Sequence, residues 1–323
     1  MKKKLIYLIV LVIFVLSLTA CSFETNKQES NNDKLSIVTT IFPQYDFARQ
    51  IVGDKADVTM LLKPGSESHS YEPTPQDIKT IQNCDLFIYT GGENEVWVED
   101  ILNSMGDKKP QSLKLIDCVT TVNEEIVEGM EHNHEHEHED DHEHEDKEEI
   151  DEHVWTSPKN AIKIVDKISD LICSKDSKNA DTYKNNTQNY IVDLQDLDKS
   201  LTYVVDNAKC NTIIFGDRFP FRYLVDDYGL KYYAAFAGCS SETEASASTI
   251  SFLIDKVKEE KTPVVFTIEF SNEKIADSIC EVTGAKKLKL NSCHNLSDDE
   301  MQAGETYLSL MKNNVENLRD ALN

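Results

Sequence analysis

Positive charge is scarce in this chain. Its 323 residues hold 33 Lys and Arg against 58 Asp and Glu, a formal net charge of -25. Phosphate recognition needs a basic face, so this balance argues against a nucleic-acid binder and suits a chain that meets cations. Signatures of catalysis are missing too: there is no Walker A sequence and no Gly-x-Ser-x-Gly elbow. The enzyme alternative that survives is a zinc hydrolase, because three ligands and a water also make a catalytic arrangement. No apolar run reaches the roughly 20 residues that a membrane span needs. Glycine and proline are few, 11 and 8, and the chain is 40% hydrophobic. That length exceeds one typical domain and suits two lobes with cores of their own.

The longest apolar run, Leu5 to Leu18, follows a positive Met1-Lys2-Lys3-Lys4 and ends in Leu18-Thr19-Ala20-Cys21. This resembles the lipobox of a bacterial lipoprotein signal, with residues 1–20 removed and Cys21 lipidated. The alternative is an uncleaved anchor helix. Residues 21–34 then read as a polar tether without periodicity, holding the body at the outer face of a membrane. Of eight cysteines, seven remain for the fold. An extracytoplasmic site permits disulfides without demanding them. Cys84 with Cys118, and Cys239 with Cys293, are the candidate pairs; the alternative is seven buried thiols.

From Leu35 onward, short apolar runs alternate with amphipathic stretches. Strands are expected at Leu35–Ile41, Val58–Leu62, Asp85–Gly91 and Leu113–Val119, with helices at Pro43–Gly53, Pro75–Asn83 and Glu95–Met105. The pattern repeats, with strands at Thr212–Gly216, Leu230–Ala237, Pro263–Phe270 and Lys286–Asn291 and helices at Ala245–Glu260, Asn272–Gly284 and Ser297–Leu322. Such alternation predicts an α/β fold of two lobes, 35–156 and 209–323, each a mostly parallel sheet flanked by helices. Between them, 157–208, Ser157-Pro158 opens one helix and Ala180–Asn207 reads as a second, roughly 40 Å long. A helix that long is a stiff connection. Ligands of open α/β sheets lie at the carboxyl ends of strands, which here means the cleft between lobes.

Six of nine histidines, His132, His134, His136, His138, His142 and His144, fall in Glu131–Glu149 among eleven acidic residues. With no apolar residue the segment is expected to be a disordered loop. Alternating imidazoles and carboxylates suit Zn²⁺, Cu²⁺ or Ni²⁺, in weak and multiple sites that collect metal rather than select it. The other three are His69, His153 and His294. Each falls in a loop beside predicted elements, and together they suggest one shared cation site. Neutral imidazole is the favoured nitrogen donor and Zn²⁺ takes four ligands. Affinity should fall as pH drops through about 6.5 toward 5.

The stretch Pro64–Asp77 resembles the PGS-x-x-HSYEP-x-P-x-D motif of the metal-binding subunits of ABC importers, the cluster A-I solute-binding proteins, and more narrowly their zinc branch. Phe42-Pro43-Gln44-Tyr45-Asp46-Phe47-Ala48, the His-rich loop, His153-Val154-Trp155 and Tyr228-Gly229-Leu230 stand in the family's order. The resemblance implies two α/β lobes joined by a rigid helix and a Zn²⁺ site in the cleft. It implies delivery of the ion to a membrane permease with its ATPase, and makes His69 and His153 first-lobe ligands. A monomer is expected.

The second lobe departs from the pattern. Arg218 stands near the place of a third family histidine, and Asn291-Ser292-Cys293-His294 stands where the family has an acidic ligand. Arginine is no ligand. The resemblance therefore leaves His294 to supply a nitrogen, with Glu269, Asp217 or water completing the shell and Arg218 orienting such a carboxylate. Cys293 is a rival ligand. The expected function is capture of Zn(II) for import. Manganese or iron(II) capture and surface adhesion are the alternatives.

Overall fold

The computed structural model describes residues 34–131, 149–240 and 244–323. The signal segment, Cys21, most of the tether and the six loop histidines lie outside the described residues. Among those described, no helix is long and apolar enough to cross a membrane.

Strand β1 (Leu35–Thr39) is followed by α1 (Phe42–Val52), β2 (Ala56–Met60), α2 (Pro75–Asn83), β3 (Leu86–Tyr89), α3 (Val96–Ser104) and β4 (Gln111–Lys114). All pair in parallel, in the order β2-β1-β3-β4. Helices α4 (Pro158–Lys175) and α5 (Ala180–Asp206) follow. The second half then repeats the winding with β5 (Thr212–Phe219), α6 (Arg222–Tyr228), β6 (Lys231–Ala237), α7 (Ala247–Glu260), β7 (Val264–Thr267), α8 (Lys274–Thr283) and β8 (Lys286–Lys289). Its order is β6-β5-β7-β8, again parallel throughout. Two α/β lobes are therefore present.

The period-two alternation of the strands explains why both faces of each sheet are covered. Ile37, Phe215 and Phe266 point into one hydrophobic cluster that runs through both sheets by way of α1, α4, α5 and the last helix. Their neighbours Val38, Ile214 and Val265 point the other way, into a separate outer cluster on each sheet. Helix α5 buries Tyr183, Tyr190, Leu194, Leu197, Leu201 and Val204 at three-to-four spacing. It packs against α1, α4 and the C-terminal helix, so it is a strut inside the shared core.

Three expectations are corrected. The stretch 297–322 is two helices, α9 (Asp298–Ala303) and α10 (Tyr307–Leu322). Gly304, at φ 77°, closes the first in the left-handed region, and a Thr306–Ser309 capping box starts the second. The fourth strand stops at Lys114, where a tight 3₁₀ turn over Leu115–Cys118 replaces it. All seven described cysteines are free thiols. Cys84 sits in the outer cluster of the first sheet whereas Cys118 packs against the shared core, which separates that pair by the sheet itself. Cys293 is wholly buried with its thiol on the Asn291 carbonyl, while Cys239 is half-buried with its backbone N–H on Glu124, and both are free thiols, so the second pair is not formed either.

Candidate metal centre

His69 lies in the loop between β2 and α2. His153 directly precedes a 3₁₀ turn, Val154–Thr156, that leads into α4. His294 lies in the loop between β8 and α9. The structure brings the three together, with one nitrogen from each within 4.8 Å of the others. The rings are 4.8 to 5.9 Å apart between centroids. His153 is wholly buried, His294 nearly so and His69 partly. Glu269, the expected acidic ligand, is not in this group.

Local hydrogen bonds explain the geometry. Asn295 Nδ2 donates to the carbonyls of Lys63 and Ser66, and Gly65 N–H donates to the Leu296 carbonyl. These bonds stitch the His294 loop to the His69 loop. Trp155 Nε1 donates to the Ser292 carbonyl at 2.8 Å, tying the His153 segment to the same place. Tyr307 at the start of α10 donates its hydroxyl to the Trp155 carbonyl. Each loop thus borrows its shape from the other lobe.

Each ring is also oriented. The Asp151 carboxylate accepts from the His153 backbone N–H at 2.8 Å and lies 3.0 Å from its Nδ1. That places the proton on Nδ1 and leaves Nε2 bare, and Nε2 is buried with no partner. Ser292 Oγ lies 2.6 Å from His294 Nδ1 and donates to Glu269 Oε1. Glu269 also accepts the backbone N–H groups of Ser292 and His294. It is a buried brace of the His294 loop. His69 Nδ1 is a second buried nitrogen without a partner. Buried acceptors without protein partners, on rings this close, are what a bound cation would satisfy.

Electrostatics separate the rings. Burial, then the neighbouring His153 and Arg218 charges, push the His69 pKa down to about 4. Burial together with His153, His69 and Arg218 holds His294 well below the usual range. His153 is raised: burial opposes its protonation, but Asp151, Glu152 and Glu124 outweigh it. Two rings are neutral donors at pH 7, and the third keeps a carboxylate behind it.

Other sequence expectations fall elsewhere. Arg218 braces neither Glu269 nor the Asp217 side chain; its guanidinium pairs with Glu67 of the first lobe, Nη2 to Oε2 at 3.0 Å. Asp217 is buried, accepting from the backbone N–H groups of Arg218 and Ile268. Cys293 turns away from the imidazoles, its thiol on the Asn291 carbonyl, and burial keeps its pKa far above normal. The missed residues are Ser292, Glu67 and Gly238. A Cβ on Gly238 would stand 2.9 Å from His153 Cε1. The one available signal was Gly238 itself, directly after the strand Leu230–Ala237.

A tight trio of imidazoles between two parallel-sheet lobes defines a metal-binding component of the solute-binding class, and the comparisons agree. The family described as "Zinc-uptake complex component A periplasmic" matches residues 37–321, and the chain belongs to it. It is an extracytoplasmic binding protein, not an enzyme. It is 38% identical over its full length, and over 99% of the relative, to the high-affinity zinc uptake system protein ZnuA of Bacillus subtilis. It is 33% identical to the zinc-binding lipoprotein AdcA of Streptococcus pneumoniae, of which it spans 61%. Among solved structures, the Zn(II)-bound ZnuA-like domain of Streptococcus pneumoniae AdcA is similar over 90% of this chain and 99% of that one, with 31% identity and a TM-score of 0.73. The metal-dependent lipoprotein YcdH of Bacillus subtilis gives 34% identity and 0.75 over 90% and 99% of the two chains.

Proposed function

We propose that this protein captures Zn(II) outside the cytoplasm through His69, His153 and His294 and hands it to an ABC permease for import. The observation that carries the reading is the convergence of three nitrogen donors, two of them buried without partners. Neutral imidazoles favour zinc over manganese, which prefers oxygen. Bonds of about 2.0–2.1 Å to one ion would draw the trio together. Residues 1–20 are a lipoprotein signal in this reading, and lipid on Cys21 anchors the mature chain. The tract His132 to His144 collects metal weakly for the tight site.

Zinc titration of the demetallated protein against a chromophoric chelator tests the reading. One tight equivalent is expected, lost on His153→Ala. Retention of that equivalent in the variant would refute the assignment. A second reading, adhesion, is favoured by one structural neighbour, the laminin-binding protein Lmb of Streptococcus agalactiae. That protein is described as bifunctional with adhesin and metal transporting activity, at 25% identity and a TM-score of 0.74 over 90% and 100% of the two chains. Binding of the protein to immobilised laminin checks it.

A further inference from the structure

Three imidazoles leave a tetrahedral ion one ligand short. We propose that Glu67 supplies the fourth ligand, one carboxylate oxygen turning to the metal while Arg218 holds the other. The inference rests on the three-histidine reading of the site and completes it.

Several observations lead there. Glu67 is two residues from His69 on the same loop, a stretch with no regular secondary structure. A small cavity is lined together by Glu67, His69, His294, Arg218, Glu269 and Ser292, so the Glu67 side chain shares a space with two of the three rings. The rival acid in that space is committed elsewhere. Both oxygens of Glu269 already accept hydrogen bonds from Ser292 and His294. Removing Glu269 to the metal would release the loop that positions His294.

The Arg218–Glu67 pair is lopsided. Nη2 to Oε2 is 3.0 Å, a full charge-assisted bond, but Nη1 to Oε1 is 3.5 Å, at the limit of one. Oε1 is held more loosely by Arg218 than Oε2 is, although the His69 backbone N–H also donates to this carboxylate. Arg218 is itself fixed: it is largely buried, and Nη1 also donates to the Ser240 carbonyl. It stands after an irregularity in the β5–β6 pairing between Phe215 and Arg218, where a bulge re-aims side chains. A guanidinium cannot bind a dication and would repel one, whereas a carboxylate set between guanidinium and ion offers an oxygen to each. Arg218, from the second lobe, is thus a positioning residue for a ligand supplied by the first.

Full-length protein carrying one equivalent of Co(II) or Zn(II) tests this, with Glu67→Gln, Arg218→Gln and His153→Ala compared. Circular dichroism and thermal melting of the metal-free proteins establish that each variant is folded. If Glu67 is a ligand, Glu67→Gln lowers zinc affinity by at least about 100-fold, above the 10–100-fold that outer-shell partners carry. It also changes the visible bands of the bound cobalt. Arg218→Gln leaves those bands in place and lowers affinity by less than about 10-fold. A mere interlobe latch predicts equal losses from Glu67→Gln and Arg218→Gln, since both break one ion pair, and that result overturns the proposal. So does an unchanged cobalt spectrum in Glu67→Gln while His153→Ala loses the site, an outcome that spares the three-histidine reading. Retention of the tight site in His153→Ala would sink both.

Discussion

In the proposed site the three imidazoles are prepared for one dication by different means. His69 and His294 are kept neutral by burial and by surrounding positive charge. His153 is oriented by a carboxylate, which also strengthens its hold on a proton. A proton and a metal compete for the same Nε2, so His153 dominates the pH dependence. Because its folded pKa lies above 6.5, zinc affinity is expected to start falling above pH 6.5 as pH is lowered. Below that pKa the loss should be about tenfold per pH unit, for one displaced proton. Asp151→Asn should move the onset to lower pH and weaken binding at pH 8 by about 10–100-fold. Zinc titrations between pH 5 and 8 check both; an onset below pH 6 in the unaltered protein would contradict the role given to Asp151. That these three histidines come together was legible in the sequence, because each stood alone in a polar loop beside predicted elements. Glu269, expected as a ligand, accepts hydrogen bonds from Ser292 and His294 on its two oxygens. Sequence shows a carboxylate near strand ends but not whether backbone N–H groups have already claimed both oxygens.

At the level of elements, the site is made by strand ends and the segments just beyond them. The loops after β2 and β8 carry His69 and His294, and the segment after β6 carries Gly238. Gly238 is squeezed between the His153 ring and the Phe219 carbonyl, each 2.9 Å from where a Cβ would stand. Gly238→Ala should therefore displace the ring, lower zinc affinity by about 10-fold or more and cost about 1–3 kcal/mol of stability by overpacking. Chelator competition and chemical denaturation measure the two effects; an alanine variant with native affinity would show that the ring has room to move. Hydrophobic periodicity made most elements readable, including α5, whose buried stripe keeps the three-to-four spacing of Leu194, Leu197, Leu201 and Val204. The break between α9 and α10 was hidden because α9 is short and buries no residue, so only Gly304 marks the stop. The 3₁₀ turn at Leu115–Cys118 was hidden because Leu115 and Ile116 are as apolar and as buried as strand residues.

Across the whole molecule, the shared hydrophobic cluster and the metal do related work. The cluster joins the sheets through α4, α5 and α10, so the lobes do not depend on zinc to stay together. The ion would instead link the tips of loops contributed by the two lobes, His69 and His153 from one and His294 from the other. Anything bound only by the folded state raises its stability, by about 4 kcal/mol at 1,000 times the dissociation constant. For a folded body of this size that is a rise in melting temperature of about 7 °C, taking roughly 2.1 cal/mol/K of unfolding entropy per residue. Since the trio lies outside the His-rich tract, deletion of residues 132–148 should leave this rise and the single tight equivalent unchanged while removing the weak sites. Both ends of that tract are anchored in the fold, with Glu124 N–H donating to the Glu149 carbonyl and Glu131 N–H to the Ala235 carbonyl, so a flexible linker can replace it. Scanning calorimetry with and without zinc, on the full and the deleted chain, decides the matter. A melting rise that vanishes with the tract would move the principal site there and leave His69, His153 and His294 without a cargo.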